Sequence, residues 1–459
     1  MRPRTSPKHP TGASRMRTSP VSRRALLGAG GALALTAPLA ACSSPVASGF
    51  FGSQLDPSTL VYWNLFAGGD GGRMQDMEKV YEKAHGGPSS LQATTFSWGN
   101  PYYSKVTLAT EGNQPPDVAA AHLTRAKPLF DGGILEPVTT EDLASVGLTA
   151  EDFNQKAWKA QVTDGRAIAI PLDTHPFVMF FNQDVLQKAD LLEKDGTITD
   201  LTGVDTFESA LQEISGVTGG AALAVANVSE TATPWRLFWS LYNQYEDATP
   251  FLSDGGASIT VDEGIFEDIT SRIQKWVDKG WLTRGIDYPG SQTAMYTGKV
   301  GIYLQGEWEI STAQDVEGLK FGMAPIPRLF DRKAAHADSH CFVLPRKDRT
   351  PEQRKQAMTF IKTMLEESMT WAQGGHVPAY MPTFESAEYK KLTPQSDYAP
   401  AAEYAVYDDP AWYGGSGSTF EETVGAQLAQ IQLGAITPKQ GLDAIRGQLQ
   451  VYLDTPSPL

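Results

Sequence analysis

The chain has 459 residues, with 53 acidic against 38 basic side chains and a net charge of −15. That length allows two or three domains of ordinary size, and the acidic balance argues against nucleic acid and disfavours polyanionic ligands. There are two cysteines and seven histidines, with no Cys/His spacing of a zinc site, so neither a metal nor a cofactor is expected.

Residues 1–41 carry Arg2, Arg4, Lys8, Arg15, Arg17, Arg23 and Arg24 and no acid, and they end in an apolar run from Ala25 to Ala41. The run is too short and too rich in small residues for a comfortable membrane span, and it reads as an export signal. Ser22-Arg23-Arg24-Ala25-Leu26-Leu27 suits a twin-arginine route as well as the general one. Leu39-Ala40-Ala41-Cys42 has the form of a bacterial lipobox, which makes Cys42 the expected lipidation site and residues 1–41 the removed signal. Two or more acyl chains anchor a protein stably, whereas one does so only marginally. Residues 42–56 then form a polar tether. Loss of residues 1–41 takes the net charge from −15 to −22. The other cysteine, Cys341 in Cys341-Phe342-Val343-Leu344, reads as a small buried apolar residue.

Residues 59–66 read as a strand that carries Asn64, followed by the turn Ala67-Gly68-Gly69-Asp70-Gly71-Gly72. A helix follows, marked by Met74, Met77, Val80, Tyr81 and Ala84. Strand, glycine turn and helix could cradle a phosphate, but the dinucleotide and Walker spacings are absent and Asp70 opposes an anion. Asp70 also suits a helix N-cap. Trp98 precedes the next helix, and residues 117–122 read as a strand ending in His122, either a ligand group or a satisfied structural histidine. Asp173, Thr174 and His175 follow the apolar stretch Ala167-Ile168-Ala169-Ile170. From Phe207 helical patterns dominate, and Trp235 and Trp239 share one helix face. Phe266, Ile269, Ile273, Trp276 and Val277 mark an amphipathic helix closed by Gly280.

Val300, Ile302 and Leu304 alternate with Gly301, Tyr303 and Gln305, which is strand periodicity with one apolar face. Gly306 stops it, so Glu307 and Trp308 sit just beyond the strand's carboxyl end, where open α/β sheets place ligands. A flat aromatic beside a carboxylate suits a sugar, the ring covering the C–H face and the carboxylate accepting from hydroxyls. Alternatively, Trp308 closes the core. Thr350-Pro351-Glu352-Gln353 is a capping box whose helix buries Ala357, Phe360, Ile361, Met364 and Leu365. Two further helices end the chain, on Phe420, Val424, Leu428 and Ile431 and on Leu442, Ile445, Leu449 and Leu453.

The stretch from Gly298-Lys299-Val300 to Gly306 and Trp308 resembles the Gly-Lys-Val-Ala-Met-x-x-x-Gly-x-Trp segment of the extracellular solute-binding proteins of the maltose-binding type, which deliver substrate to ABC importers. Pro115-Pro116-Asp117-Val118, Gly165 to Pro171 with Phe181-Asn182-Gln183-Asp184, Phe321 to Pro327, and Gly375-His376-Val377-Pro378 resemble further segments of that family. The resemblance implies an α/β, two-lobed periplasmic-binding-protein-like fold, each lobe a sheet flanked by helices, with the ligand cleft between lobes. It divides the chain into residues 57–174 and 319–367 (lobe 1) and residues 175–318 and 368–459 (lobe 2). It makes Asn64, Asp70, Trp98 and His122 cleft residues of lobe 1 and sets Asp173 and His175 at the first crossing. His175 falls where the maltose-binding relative uses a carboxylate, so the ligand chemistry need not be the same. Trp235 falls on an aromatic sugar platform of the family, and Trp412 with Tyr413 on another.

Stacking by Trp235, Trp308 and Trp412 against polar groups such as Asp70, His122 and Asp173 then implies a neutral mono- to oligosaccharide. The implied partners are the permease subunits of an ABC transporter and the membrane, reached through lipidated Cys42 on the outer face of the cell membrane. The protein is expected to be a monomer and not an enzyme. Three rival readings remain: an anchored glycoside hydrolase using Glu307 and Glu309 across the sugar, an anchored binder of glycan or a partner protein without transport, or a binder of a non-sugar solute.

Overall fold

A computed structural model describes residues 58–457; the expected signal, Cys42 and the tether lie outside the described residues. The chain opens with β1 (Leu60–Asn64), α1 (Gly68–Ala84), β2 (Leu91–Thr95), α2 (Asn100–Glu111) and β3 (Val118–His122). β1 pairs in parallel with β2 on one side and β3 on the other, the arrangement that helical crossovers generate. β3 is buried along its whole length, as its apolar run requires of a strand covered on both faces.

At Asp173 the chain leaves this sheet through β4 (Asp173–Asn182), a strand buried at all ten positions. Phe177, Met179 and Phe181 enter one apolar core while Val178 and Phe180 enter another, because alternate side chains of a strand point to opposite faces. The helices α3 (Val204–Thr218), α4 (Ala232–Tyr242) and α5 (Glu263–Asp278) follow, then β5 (Ile302–Gly306), β6 (Phe321–Pro325) and β7 (Ala335–Asp338). β4 runs antiparallel to β5 and β6 on its two sides and to β7 at its beginning, so it is the spine of a seven-stranded sheet.

The chain then re-enters the first sheet as β8 (His340–Pro345), antiparallel to β3. The change of sheet falls between Asp338 and His340, later than the expected residue 319, because β6 and β7 both find their partner in β4. α6 (Pro351–Glu366) starts with the predicted capping box and buries Ala357, Phe360, Ile361, Met364 and Leu365 in the core of the first sheet. After α7 (Ser368–Ala372) the chain crosses again, and Val377–Pro378 pairs with the first two residues of β4. The helices α8 (Thr419–Gln432) and α9 (Pro438–Leu453) complete the second core. Two sheets, each with its own core and its own helices, give the two-lobed α/β fold that the sequence predicts.

The packing of α8 on the start of α4 leaves no room for a side chain at Gly425, where a Cβ would lie 1.9 Å from the carbonyl oxygen of Thr231. Gly425→Ala must push the two helices apart, and overpacking of this kind costs about 1–3 kcal/mol. The expected result is a lower urea midpoint with an unchanged slope.

Candidate functional site

Between the two sheets lies a cleft of about 310 Å³. Strand register brings its polar floor together. His122, the last residue of β3, is paired with His340, the first of β8, and His175 on β4 is paired with Asp338, the last of β7. The three imidazoles are consequently neighbours, with centroids 4.1 Å apart for His175 and His340, 4.8 Å for His122 and His340, and 5.5 Å for His122 and His175. All three line the cleft.

The aromatic wall comes from both lobes. Trp308 lines the cleft beyond β5, its indole N–H donating to Tyr288 Oη at 3.0 Å. Its ring lies so close to the preceding backbone that a Cβ at Gly306 would come within 2.0 Å of it. Glycine is therefore required at the strand's end for the ring to lie there. Trp98 faces it from the first lobe, 44 % exposed and edge-on to His122 at 6.3 Å.

Beneath the floor, Asp173 is fully buried and surrounded by donors. Its Oδ1 accepts from His175 Nδ1 at 3.0 Å and from the His340 backbone N–H at 2.8 Å, and its Oδ2 from His340 Nδ1 at 2.7 Å and Trp371 Nε1 at 2.6 Å. Burial works against its charge, but His340 and His175 outweigh burial and hold the carboxyl well below its ordinary range. An ionised carboxylate can only accept, so His175 and His340 donate through Nδ1 and, when neutral, carry their lone pairs on Nε2. Those two Nε2 atoms have no hydrogen-bond partner among the described residues. Burial lowers His175 to about 3, aided by His340. His175 therefore stands as a neutral acceptor towards the cleft.

A second layer joins this hub to α1 and to the turn after β5. His376 Nε2 lies 3.1 Å from Asp70, and its Nδ1 lies 3.1 Å from Glu307 and 3.3 Å from Asp173. Burial opposes a charge on His376, but Asp70, then Glu307 and Asp173, overcome it and raise the imidazole well above its ordinary value. Asp173, His175, His340 and His376 are of metal-ligating type, with donor atoms within 4.8 Å of one another. Both Asp173 oxygens are already occupied by N–H donors, so the cluster stands as a hydrogen-bonded hub. Only Asp173 and His175 are near neighbours in the chain, and His340 and His376 join them through the later crossings, which is why no metal-like spacing announces the cluster.

Of the residues expected at the site, Asp70, Trp98, His122, His175 and Trp308 line the cleft, and Asp173 and Glu307 lie enclosed beside it. Asp70 is in the first turn of α1 and does not cap it. The others do not reach the cleft. Asn64 is engaged with Phe66, Thr95 and Glu78. Trp235 is wholly buried, stacked on Trp239 at 5.0 Å and bonded to Asp408 at 2.8 Å. Tyr413 is buried with its hydroxyl on Gly256 O at 2.7 Å. Trp412 lines a separate depression with Lys127 and Tyr452. Sequence reasoning missed Phe66, Arg236, Tyr288, His336, Asp338 and His340, which also line the cleft. His340 had a signal: it occupies the same strand-end position as His122, read from the other direction.

Comparison with known proteins places this geometry. A family model described as bacterial extracellular solute-binding protein matches residues 77–403. Among curated proteins no sequence matches. The fold is similar to the GacH receptor of Streptomyces glaucescens GLA.O, solved unliganded and with acarbose, at 19 % identity and a TM-score of 0.69 over 87 % of this chain and 99 % of that one. It is also similar to the sugar-binding protein MalE of Xanthomonas citri, at 14 % identity and a TM-score of 0.70 over 86 % and 97 %. A solute-binding protein of Thermotoga lettingae bound with alpha-D-tagatose matches at 18 % identity and a TM-score of 0.67, over 86 % and 100 %.

Burial raises Glu307 from 4.5 to about 8, with His376 working against the rise. The folded protein thus keeps a proton that the unfolded chain releases near pH 4.5, and the stability it contributes is complete below that value and lost as pH rises towards about 8. Glu307→Gln keeps the shape without titrating. Its melting temperature relative to the unsubstituted protein should therefore move upward between pH of about 5 and about 8; a constant difference would show that Glu307 is ionised throughout.

Proposed function

Because the chain belongs to the family of bacterial extracellular solute-binding proteins, we propose that it captures a sugar of one or two rings in the Trp308 cleft and passes it to the permease of an ABC importer. The observation that carries this reading is the Trp308 indole, laid against Gly306 beside a floor of hydrogen-bonding imidazoles. An aromatic face takes the C–H surface of a pyranose, and fixed polar groups take its hydroxyls. A cleft of about 310 Å³ sits at the lower end of the range of about 300–1,000 Å³ found for small-molecule sites. This favours a short sugar over a long chain. Of the ligands named for the similar structures, alpha-D-tagatose is a monosaccharide of this size, whereas acarbose is longer.

Trp308 and Arg236 stand in the second lobe, whereas Trp98, His122 and His340 stand in the first. A ligand touching both sets gains contacts only when the lobes close on it, which is the differential affinity that a closing binder needs. Glu309 accepts from Tyr288 and Gln292, and Glu307 is enclosed beside His376. Neither of the carboxyl groups that a glycosidase would set across a sugar thus lines the cleft, which supports binding without hydrolysis. Acylation of Cys42 would keep the receptor at the outer face of the membrane, next to its permease.

A thermal-shift screen against mono- and disaccharides should raise the melting temperature with one sugar family. Trp308→Ala should then weaken the best ligand by about tenfold or more in calorimetry, the loss expected when a buried aromatic contact is truncated. The proposal fails if no sugar produces a shift. Separately, Cys42→Ala should move the protein from the membrane fraction to the soluble one and abolish incorporation of labelled palmitate; retention in the membrane would refute the anchor.

A further inference from the structure

The cleft contains one guanidinium without a hydrogen-bonded partner among the described residues. Arg236 stands in α4, one residue after the buried Trp235, with a side chain only 9 % exposed and its guanidinium lining the cleft 5.0 Å from the Trp308 ring centre. Its side chain makes no hydrogen bond to any described residue. The nearest acid, Glu421, is 3.9 Å away, beyond hydrogen-bond reach. Burial raises Glu421 to about 7, against the pull of Arg236, so near neutral pH it is only partly ionised. Its five guanidinium N–H donors therefore have only solvent in the cleft as acceptors, and an anion entering there can take the place of that solvent.

The acids around Arg236 are engaged elsewhere. Glu230 accepts from Thr233 N at 2.8 Å and Thr233 Oγ1 at 3.1 Å. Asp408 accepts from Trp235 Nε1 at 2.8 Å and faces His336 Nε2 at 3.1 Å. Asp338 accepts from Ser339 N at 2.8 Å and from Thr124, and Asp70 is paired with His376 at 3.1 Å. Every carboxylate lining the cleft is hydrogen-bonded within the protein, and the one guanidinium lining it makes no hydrogen bond to a described residue. Across the floor, the Nε2 atoms of His175 and His340 face the cleft without a protein partner, and neutral His175 offers its lone pair to a hydroxyl proton.

We propose that the ligand is a sugar acid, its carboxylate held by the Arg236 fork beside Trp308 and its hydroxyls donating to His175 and His340. This deepens the sugar reading of the cleft, rests on it, and replaces the neutral sugar expected from the sequence. A carboxylate fits better than a phosphate. One guanidinium balances one negative charge, and a phosphate dianion would bring a second charge among Asp70, Glu230 and Asp338. The guanidinium fork matches both oxyanions in shape, so the difference lies in charge.

Calorimetry on the purified protein with matched pairs, glucose and glucuronate, galactose and galacturonate, with glucose 6-phosphate added, tests this directly. The expected result is that one hexuronate binds at least about tenfold tighter than its neutral parent and than the phosphate, the scale of a charge-assisted pair. Arg236→Gln should erase that preference, and Arg236→Lys, which keeps the charge and loses the fork, should retain part of it. If the neutral parent or the phosphate binds as tightly as the acid, or if R236Q preserves the preference, the inference is overturned while the sugar reading survives. If neither acidic nor neutral sugars bind, the sugar reading falls and the inference with it. Should R236Q lose its circular-dichroism spectrum, the matched pairs on the unsubstituted protein together with R236K decide the matter.

Discussion

The structure turns on one buried carboxylate. Asp173 sits where the chain first leaves one sheet for the other, and its oxygens collect N–H groups from β4, from both the main chain and the side chain of His340 at the second crossing, and from Trp371 just before the third. A lone aspartate in such a place would be strongly destabilising, because desolvation of an unpaired charge far exceeds the net stability of most domains. With four N–H donors in place it becomes a pin through all three crossing segments. The three crossing segments are thereby fixed to one another at the junction of the two sheets.

The same carboxylate sets the chemistry of the floor. By accepting hydrogen bonds from Nδ1 it turns the Nε2 atoms of His175 and His340 away from itself, and leaves neutral His175 presenting a lone pair to the cleft. Structural support and recognition are thus one network seen from two sides, hinge below and ligand surface above. Gly306 plays a comparable part for the wall. A strand that ended in any larger residue would displace the Trp308 ring, so the most local feature of the sequence, an absent side chain, positions the largest group in the cleft.

The sequence disclosed what local pattern controls. The alternating strand before Gly306, the capping box of α6 and the aromatic at Trp308 are all legible, because each depends on neighbours a few residues away. Trp235 shows where that stops. It and Arg236 are adjacent on a helix, and periodicity cannot say which of the two turns towards the cleft; packing against Phe251 and Phe420 settles it. His340 and His376 were in view as residues but not as site residues, since only strand register and the third crossing bring them under His175. Trp412 fell outside the cleft for a similar reason, its ring resting against Tyr452 of α9 instead. The return to the first sheet falls later than the resemblance implies because β6 and β7 both pair with β4.

The tryptophans are distributed unevenly with respect to the cleft. Trp235, Trp276 and Trp371 are sealed in the cores, while Trp98 stands 44 % exposed at the cleft, opposite Trp308. Indole emission responds to solvent and to neighbouring charge, so occupation of the cleft would perturb these two chromophores and leave the core ones as an internal reference. The receptor thereby carries an intrinsic optical gauge of its own occupancy, sited on opposite lobes and requiring no attached label.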